Sequence, residues 1–485
     1  MTPRDRPLTK QVFLEALACE RRGWLLHNPD QPAGSRSFAQ QFRFTQGNAI
    51  GDLARQMYAP GLDLRGPSTA EWLAQGRTVV ADPATSTAFE VPLVAQHAIA
   101  RPDILVREPG GWHVIEVKSA KQVKAEDVDD LAYTVAVACG AGLAVVRASL
   151  ALVNPDWRVD NDLPALLAHD VTDAALARAT EFAPLFEPVH RAVSAPTAPL
   201  AVLKSVCKNC EFLRSPCHLD GPSDPVFELP RILGRKADAL IAGGIARIAH
   251  VPEGEKLTPI QQLHRRAVIA GGLVTEAAGL AQLAQVRAPT GYLDFETLSL
   301  ALPPFPGMAP YDVIPIQYSL HRRMRQGDAE HRELLLDPRA PDIEEFARHL
   351  LQSLDGLESI VVYSSFERHR LLWLSARLPA MTRALDRVAD RLVDLLPIVQ
   401  ASVAHPEFHG SLSIKRVLPV LVPDLRYDDL AIGNGDDATG ISGLRAMGRI
   451  DDAEWALHRR HLLEYCKVDT LAMVRLHDAL AGLAG

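Results

Sequence analysis

Cysteine is scarce in this chain of 485 residues, with six in all, at positions 19, 139, 207, 210, 217 and 466. So few thiols over such a length argue against a disulfide framework and leave metal binding, redox chemistry or simple burial for each. Lysine is also rare, with ten residues against forty-one arginines. Alongside abundant Ala and Pro, that imbalance reads as codon bias rather than as a phosphate-binding surface. The net charge of −8 gives no chain-wide support to nucleic-acid binding, so any basic surface must be local. Long apolar runs are missing too. The longest, LAYTVAVACGAGLAVV, has sixteen residues between Asp130 and Arg147, short of the roughly 20 that span a bilayer. It reads as a buried helix followed by a buried strand. The start, MTPRDRPLTK, lacks the apolar core of a signal peptide, so a cytoplasmic location without membrane contact is expected.

What is present suggests an α/β multidomain protein, since a prior of about 150 residues per domain gives roughly three. Residues 1–220 read as an α/β unit that ends in the cysteines, 221–290 as a helical connector, and 291–485 as alternating strands and helices. In the first region, ARPDILVREPGGWHVIEVKS reads as a hairpin turning at EPGG. Pairing Arg107 with Trp112 sets Asp103 opposite Glu116, with Lys118 on the same face. Opposed carboxylates repel unless a divalent cation lies between them, and the lysine would stabilise negative charge on a phosphate. Taken alone, a D…ExK pattern is more often an ordinary solvated hairpin.

Three further cysteines stand close together in SVCKNCEFLRSPC, where Cys207, Cys210 and Cys217 form C-x2-C-x6-C. Thiolates at that spacing suit a [4Fe-4S] cluster or a Zn2+ site. Cys139, in the apolar run, and Cys466, on a helical face, are expected to be buried small hydrophobes.

Near the other end, GYLDFETLSL puts Asp294 and Glu296 on one face of a strand, an arrangement that on an edge strand is usually just solvated. In RRHLLEYCKVDTLAMVRLHDAL, Tyr465 and Asp469 lie at i and i+4 and so share a helical face. Glu367, in VVYSSFERHRLLWL, supplies an acid between the two.

These motifs carry two resemblances. Asp103, Glu116 and Lys118 fill the three positions of the PD-(D/E)XK nucleases, within a restriction-endonuclease-like fold. The cysteines resemble those of the RecB-like branch that holds an iron–sulfur cluster, which implies Cys19 as the upstream ligand joining Cys207, Cys210 and Cys217. The region departs from that branch in two places. GNAIGDLARQMY offers Asp52 and Arg55 where relatives place a histidine, and Thr134 stands where many have glutamine.

DxE followed by YxxxD resembles the DnaQ-like, RNase H-like exonucleases of the DEDDy type. The resemblance implies that Asp294, Glu296, Glu367 and Asp469 hold two Mg2+ or Mn2+ ions and that Tyr465 orients the attacking water. Here Glu367 replaces an aspartate and Tyr363 stands where asparagine is usual, while Asp394 and HGSLSIKRVLP are expected to be structural. Together the regions resemble a bacterial family of predicted nuclease fusions.

The expectation is a metal-dependent 3′–5′ exonuclease acting on DNA in repair or defence, whose first domain cuts or holds single strands. Arg21, Arg22 and Trp24 would offer phosphate and stacking contacts there, with ordinary packing as the alternative. Competing readings are an RNA exonuclease with a non-catalytic N-terminal domain, and a non-catalytic nucleic-acid-binding scaffold.

Overall fold

A computed structural model describes residues 6–29, 36–66, 70–324, 329–425 and 430–484, so the first five residues of MTPRDRPLTK lie outside it. The chain folds as mixed α/β in two units. One comprises residues 1–36, 43–201 and 300–312, the other 37–42, 202–299 and 313–485. Composition suggested breaks at 220 and 290, whereas contacts divide the chain near 201. The presumed connector joins the second unit, because Glu276 N donates to Ser402 O (2.7 Å) and Glu228 pairs with His409 (3.0 Å). Among the described residues, no helix is long and apolar enough to cross a membrane.

In the first unit a six-stranded sheet runs in the order β1 (Leu62–Asp63), β2 (Thr87–Phe89), β5 (Ile104–Glu108), β6 (Gly111–Lys118), β7 (Val145–Val153), β8 (Leu166–Asp170). A separate hairpin joins β3 (Leu93–Ala95) to β4 (Ala98–Ala100). The β5–β6 ladder pairs Arg107 with Trp112 and Ile104 with Ile115, the register counted from the turn. Gly110 makes the two-residue turn possible, since its φ of 90° is one that a side chain disfavours.

Strands β6 and β7 run parallel, and the helix Ala125–Gly140 crosses between them. Its buried face packs on the main core with Phe13 of the helix Lys10–Ala18 and with Trp112 and Val114 of β6. Ile115 faces the opposite side, where it packs with Ile50 and Ala301. Alternation along β6 therefore aims Glu116 and Lys118 toward the helices rather than toward that second layer.

The sheet of the second unit has five strands in the order β12 (Glu330–Leu335), β11 (Ile314–Arg323), β10 (Thr290–Leu298), β13 (Ser359–Val362), β14 (Leu392–Asp394). Two short strands, β9 (Val274–Thr275) and β15 (Val403–Ala404), pair beside it. The strand bearing Asp294 and Glu296 is thus central rather than at an edge, antiparallel to β11 and parallel to β13. Leu293 and Phe295 pack with the helices Ile343–Ser353, Phe366–Arg377 and Thr382–Asp390. Tyr292, on the other face, packs with Leu395–Ser402, Ile414–Leu421 and the long helix Asp452–Ala484. Period-two alternation therefore turns Asp294 and Glu296 toward the long helix.

Candidate active site

The long helix and β10 bring three acids together in the second unit. Asp294, Glu296 and Asp469 each offer a carboxylate oxygen, and these oxygens lie within 4.8 Å of one another. A bulge shifts the β10–β11 register just after Glu296, a local kink of the kind that re-aims side chains. Some surface of Asp294 and Glu296 remains open to solvent, although protein surrounds them densely. The opening governs access for an ion, and the dense surroundings govern the cost of charge.

That cost is large. Burial pushes the Glu296 carboxyl up to about 8, helped by Asp469 and opposed by Lys415. Asp294 is raised as well, by burial first and then by Asp469, Glu367 and Glu296. Carboxylates that repel one another at such range cannot all ionise without an added cation.

Glu367 lies in the first turn of the helix Phe366–Arg377, only 4% exposed. It stands outside the tight group of three, yet its charge acts on Asp294 and Glu296. Burial lifts it to about 8, and its Oε2 has no hydrogen-bond partner. A buried carboxylate oxygen left in that state is costly, and a cation would satisfy it. The residues present therefore fit a divalent ion.

Tyr465 is 2% exposed, and its phenol shares a hydrogen bond with Asp469. Burial and the three acids hold its proton on firmly. Tyr363 donates to Leu412 O (2.6 Å), a structural contact, and Asp394 caps the helix Leu395–Ser402 through Leu396 N (2.8 Å). Two neighbours escaped the sequence reading. Cys466, expected merely to fill space, is fully buried but donates from Sγ to Asp294 Oδ2 at 3.3 Å. Lys415 reaches the Tyr465 hydroxyl at 2.7 Å. Lys415 lies in HGSLSIKRVLP, a stretch expected only to be structural.

The first unit gathers a different set. Glu116, 5% exposed, accepts from Lys10 Nζ at 2.5 Å and from Lys118 Nζ at 3.2 Å. Both lysines also pair with Asp130, which the sequence reading passed over along with Lys10. Burial is the largest single influence and opposes the charge of Lys10, but Glu116 and Asp130 together outweigh it and the pKa is raised. Asp103 lies on the Glu116 side and accepts from Val117 N (2.7 Å). Burial, then repulsion from Glu116, pushes it up to about 7.

Glu116 Oε2 has no hydrogen-bond partner, and the charge of Glu116 acts on the Asp103 carboxyl. Asp52 pairs with Arg55 (2.5 Å), which approaches Glu90 at 3.6 Å. Thr134 is buried and bonds within its own helix, to Asp130 O (3.3 Å).

Cys19 lies in the first unit, at the corner between the helices Lys10–Ala18 and Glu20–His27, whereas Cys207, Cys210 and Cys217 belong to the second. Those three Sγ atoms do not all lie within 4.8 Å of one another. Next to Cys19, Arg21 bonds to Pro199 O (2.7 Å), Trp24 to Ala195 O (2.8 Å) and Arg22 to Glu15 (2.7 Å), so these side chains are engaged in packing. Cys139 is exposed, contrary to the sequence reading. Its helix ends at Gly140, and the last two residues of that helix are exposed.

A family profile described as a domain of unknown function, DUF2779, matches residues 291–413. That span includes Asp294, Glu296 and Glu367 and stops before Lys415, Tyr465 and Asp469. An uncharacterised protein of Mycoplasma pneumoniae is 28% identical over 206 residues, 38% of this chain and 31% of the relative. Its Mycoplasma genitalium counterpart is 26% identical over 206 residues with the same shares. An uncharacterised protein of Ureaplasma parvum is 26% identical over 215 residues, 39% of this chain and 31% of its own. The chain thus spans under a third of the length of these relatives.

Proposed function

We propose that the chain is a metal-dependent nuclease, a 3′–5′ exonuclease trimming DNA, whose hydrolytic centre is Asp294, Glu296, Glu367, Tyr465 and Asp469. One observation carries this reading. Three carboxylates converge within 4.8 Å, where Asp469 raises the proton affinity of both Asp294 and Glu296, and Glu296 adds to that of Asp294. Divalent ions such as Mg2+ or Mn2+, held by Asp294, Glu296, Asp469 and Glu367, would supply charge stabilisation for the attacking and leaving oxygens. Within the chain, Tyr465 orients the water whose oxygen bonds to phosphorus as the bond to the 3′ oxygen breaks. Repair or defence is the setting such trimming suits.

For the first unit, Asp103, Glu116 and Lys118 support a RecB-like PD-(D/E)XK domain that cuts or holds a strand. Lys10 favours holding, because its ammonium already occupies one oxygen of Glu116. Cys19, Cys207, Cys210 and Cys217 are proposed to hold a [4Fe-4S] cluster. Thiolates on one tetrahedral zinc, with Zn–S about 2.3 Å, lie about 3.8 Å apart. The downstream three Sγ atoms do not all lie within 4.8 Å of one another, so they do not form a closed tetrahedral zinc set as they stand.

The test is digestion of end-labelled single- and double-stranded DNA and RNA in Mg2+ or Mn2+ by wild type, Asp294→Ala and Glu116→Ala. Digestion lost only in Asp294→Ala supports the reading. Preference for RNA changes the substrate, and no digestion by wild type under any condition refutes the enzyme. Iron and sulfide analysis of the purified chain separates cluster from zinc.

A further inference from the structure

Resting on that nuclease reading, we propose that Lys415 is a positioning residue of the hydrolytic centre, one that fixes which way the hydrogen bonds of the Tyr465 phenol run. Lys415 lies in the first turn of the helix Ile414–Leu421. Its Nζ donates to Gly433 O at 3.0 Å and to the Tyr465 hydroxyl at 2.7 Å, and it stands 4.5 Å from the centroid of the tyrosine ring. The loop that delivers it is tightly held. Gly410 has φ 71°, and a Cβ there would lie 1.6 Å from the Glu228 carbonyl oxygen, so only glycine fits. Across the site, the Gly435 Cβ position lies 3.8 Å from the Tyr465 hydroxyl and 3.9 Å from Glu296 Oε1.

The consequence follows from counting donors and acceptors. A phenol has one O–H donor and two acceptor lone pairs, whereas an ammonium only donates. Lys415 therefore fills one lone pair of Tyr465, and the phenol proton is directed to Asp469. One acceptor lone pair remains. A water bound there must donate to Tyr465, which leaves its own lone pair free to face phosphorus. Without the ammonium, the phenol could rotate and donate to the water, tying up the electron pair that must attack. The charge of Lys415 also partly offsets Glu296, whose carboxyl it acts to lower.

Steady-state hydrolysis of an end-labelled oligonucleotide in Mn2+ tests this with wild type, Lys415→Met, Lys415→Gln, Tyr465→Phe and the two double variants. A charged hydrogen bond lost from the transition state implies a kcat for Lys415→Met about 10- to 100-fold lower, with KM within about threefold. Because Lys415 acts through Tyr465, adding Lys415→Met to Tyr465→Phe should cost little more, a coupling that a merely structural lysine would not produce. Lys415→Gln, which keeps a donor but no charge, should recover part of the rate, and its pairing with Tyr465→Phe carries the same test should the Met variant unfold. Losses that multiply independently, or a raised KM at unchanged kcat, overturn the assignment alone. Absence of turnover by wild type overturns the nuclease reading and this assignment with it.

Discussion

The buried Glu116 carboxylate of the first unit meets two ammonium groups, whereas Asp294, Glu296 and Asp469 of the second meet chiefly one another. In the first, Lys10 and Lys118 bridge Glu116 and Asp130, so these four charges alternate in sign, with Asp103 as a further acid on which Glu116 still acts. In the second, Lys415 stands at the border, bonded to Tyr465. Equal numbers of opposite charges can persist in a protein interior with no added ion, whereas a cluster of one sign must protonate or recruit a cation. The contrast teaches that a D…ExK or DxE pattern says less about metal demand than the lysines that reach it.

The largest test of this contrast is catalytic. Removing a ligand of the uncompensated cluster by Asp294→Ala should lower turnover by about a thousandfold or more, by analogy with loss of a key electrostatic stabiliser. Glu116→Ala should change it by less than about threefold, a difference near the limit of interpretation in free-energy terms. Comparable losses in both variants would erase the asymmetry.

The next test is structural and works on the compensated side. Lys10→Met takes one cation from a pair whose acid is 94% shielded, with a side-chain exposure of 6% for Glu116 and 29% for Lys10. Because Lys118 remains, the loss should be about 2–3 kcal/mol, at or below the usual range for a broken buried pair. It is read as a lower denaturant midpoint. Mn2+ should bind the variant more tightly than wild type, and unchanged stability together with unchanged affinity would show that Lys10 neutralises nothing.

A third test uses pH on the uncompensated side. Glu296 and Glu367 are pushed up to about 8, so between the usual carboxyl range and that value the native state holds more protons than the unfolded chain. The stability they contribute is fully present below about pH 4.5 and is lost as pH rises toward 8. In chelator, Tm should therefore fall from pH 5 to pH 8, and Mg2+ or Mn2+ should reverse the fall. A Tm that rose with pH in chelator would contradict the clustering. The smallest effect belongs to Cys466→Ala, which deletes a thiol donor to Asp294 and should cost about 1 kcal/mol, measured by thermal unfolding.

Much of the local geometry was legible in the sequence. The EPGG turn fixed the β5–β6 register, period-two alternation set Asp294 beside Glu296, and the i, i+4 spacing joined Tyr465 to Asp469. What escaped depended on long-range pairing. Nothing local to GYLDFETLSL tells a central strand from an edge, since that depends on β11 and β13 lying on either side. Lys10 lies 106 residues from Glu116 and Lys415 fifty from Tyr465, distances over which spacing carries no periodicity. Cys139 was expected to be buried because an apolar run carries no mark for where a helix ends and its last residues become exposed. The division of the chain was hidden for a similar reason, because residues 300–312 resemble their sequence neighbours yet group with the first unit.

That last arrangement limits how the protein can be taken apart. Gln46 Oε1 accepts from Ala301 N at 2.6 Å, and Ile50 and Ala54 share an apolar cluster with Ala301. A fragment ending at residue 201 would lack those partners, and its complement would lack residues 37–42, whose Ala39 N bonds to Asp437 (2.9 Å). No single cut in the chain yields either unit whole. Assigning activity to one half therefore calls for point substitutions in the intact chain rather than for dissected pieces, whose silence would report incomplete folding.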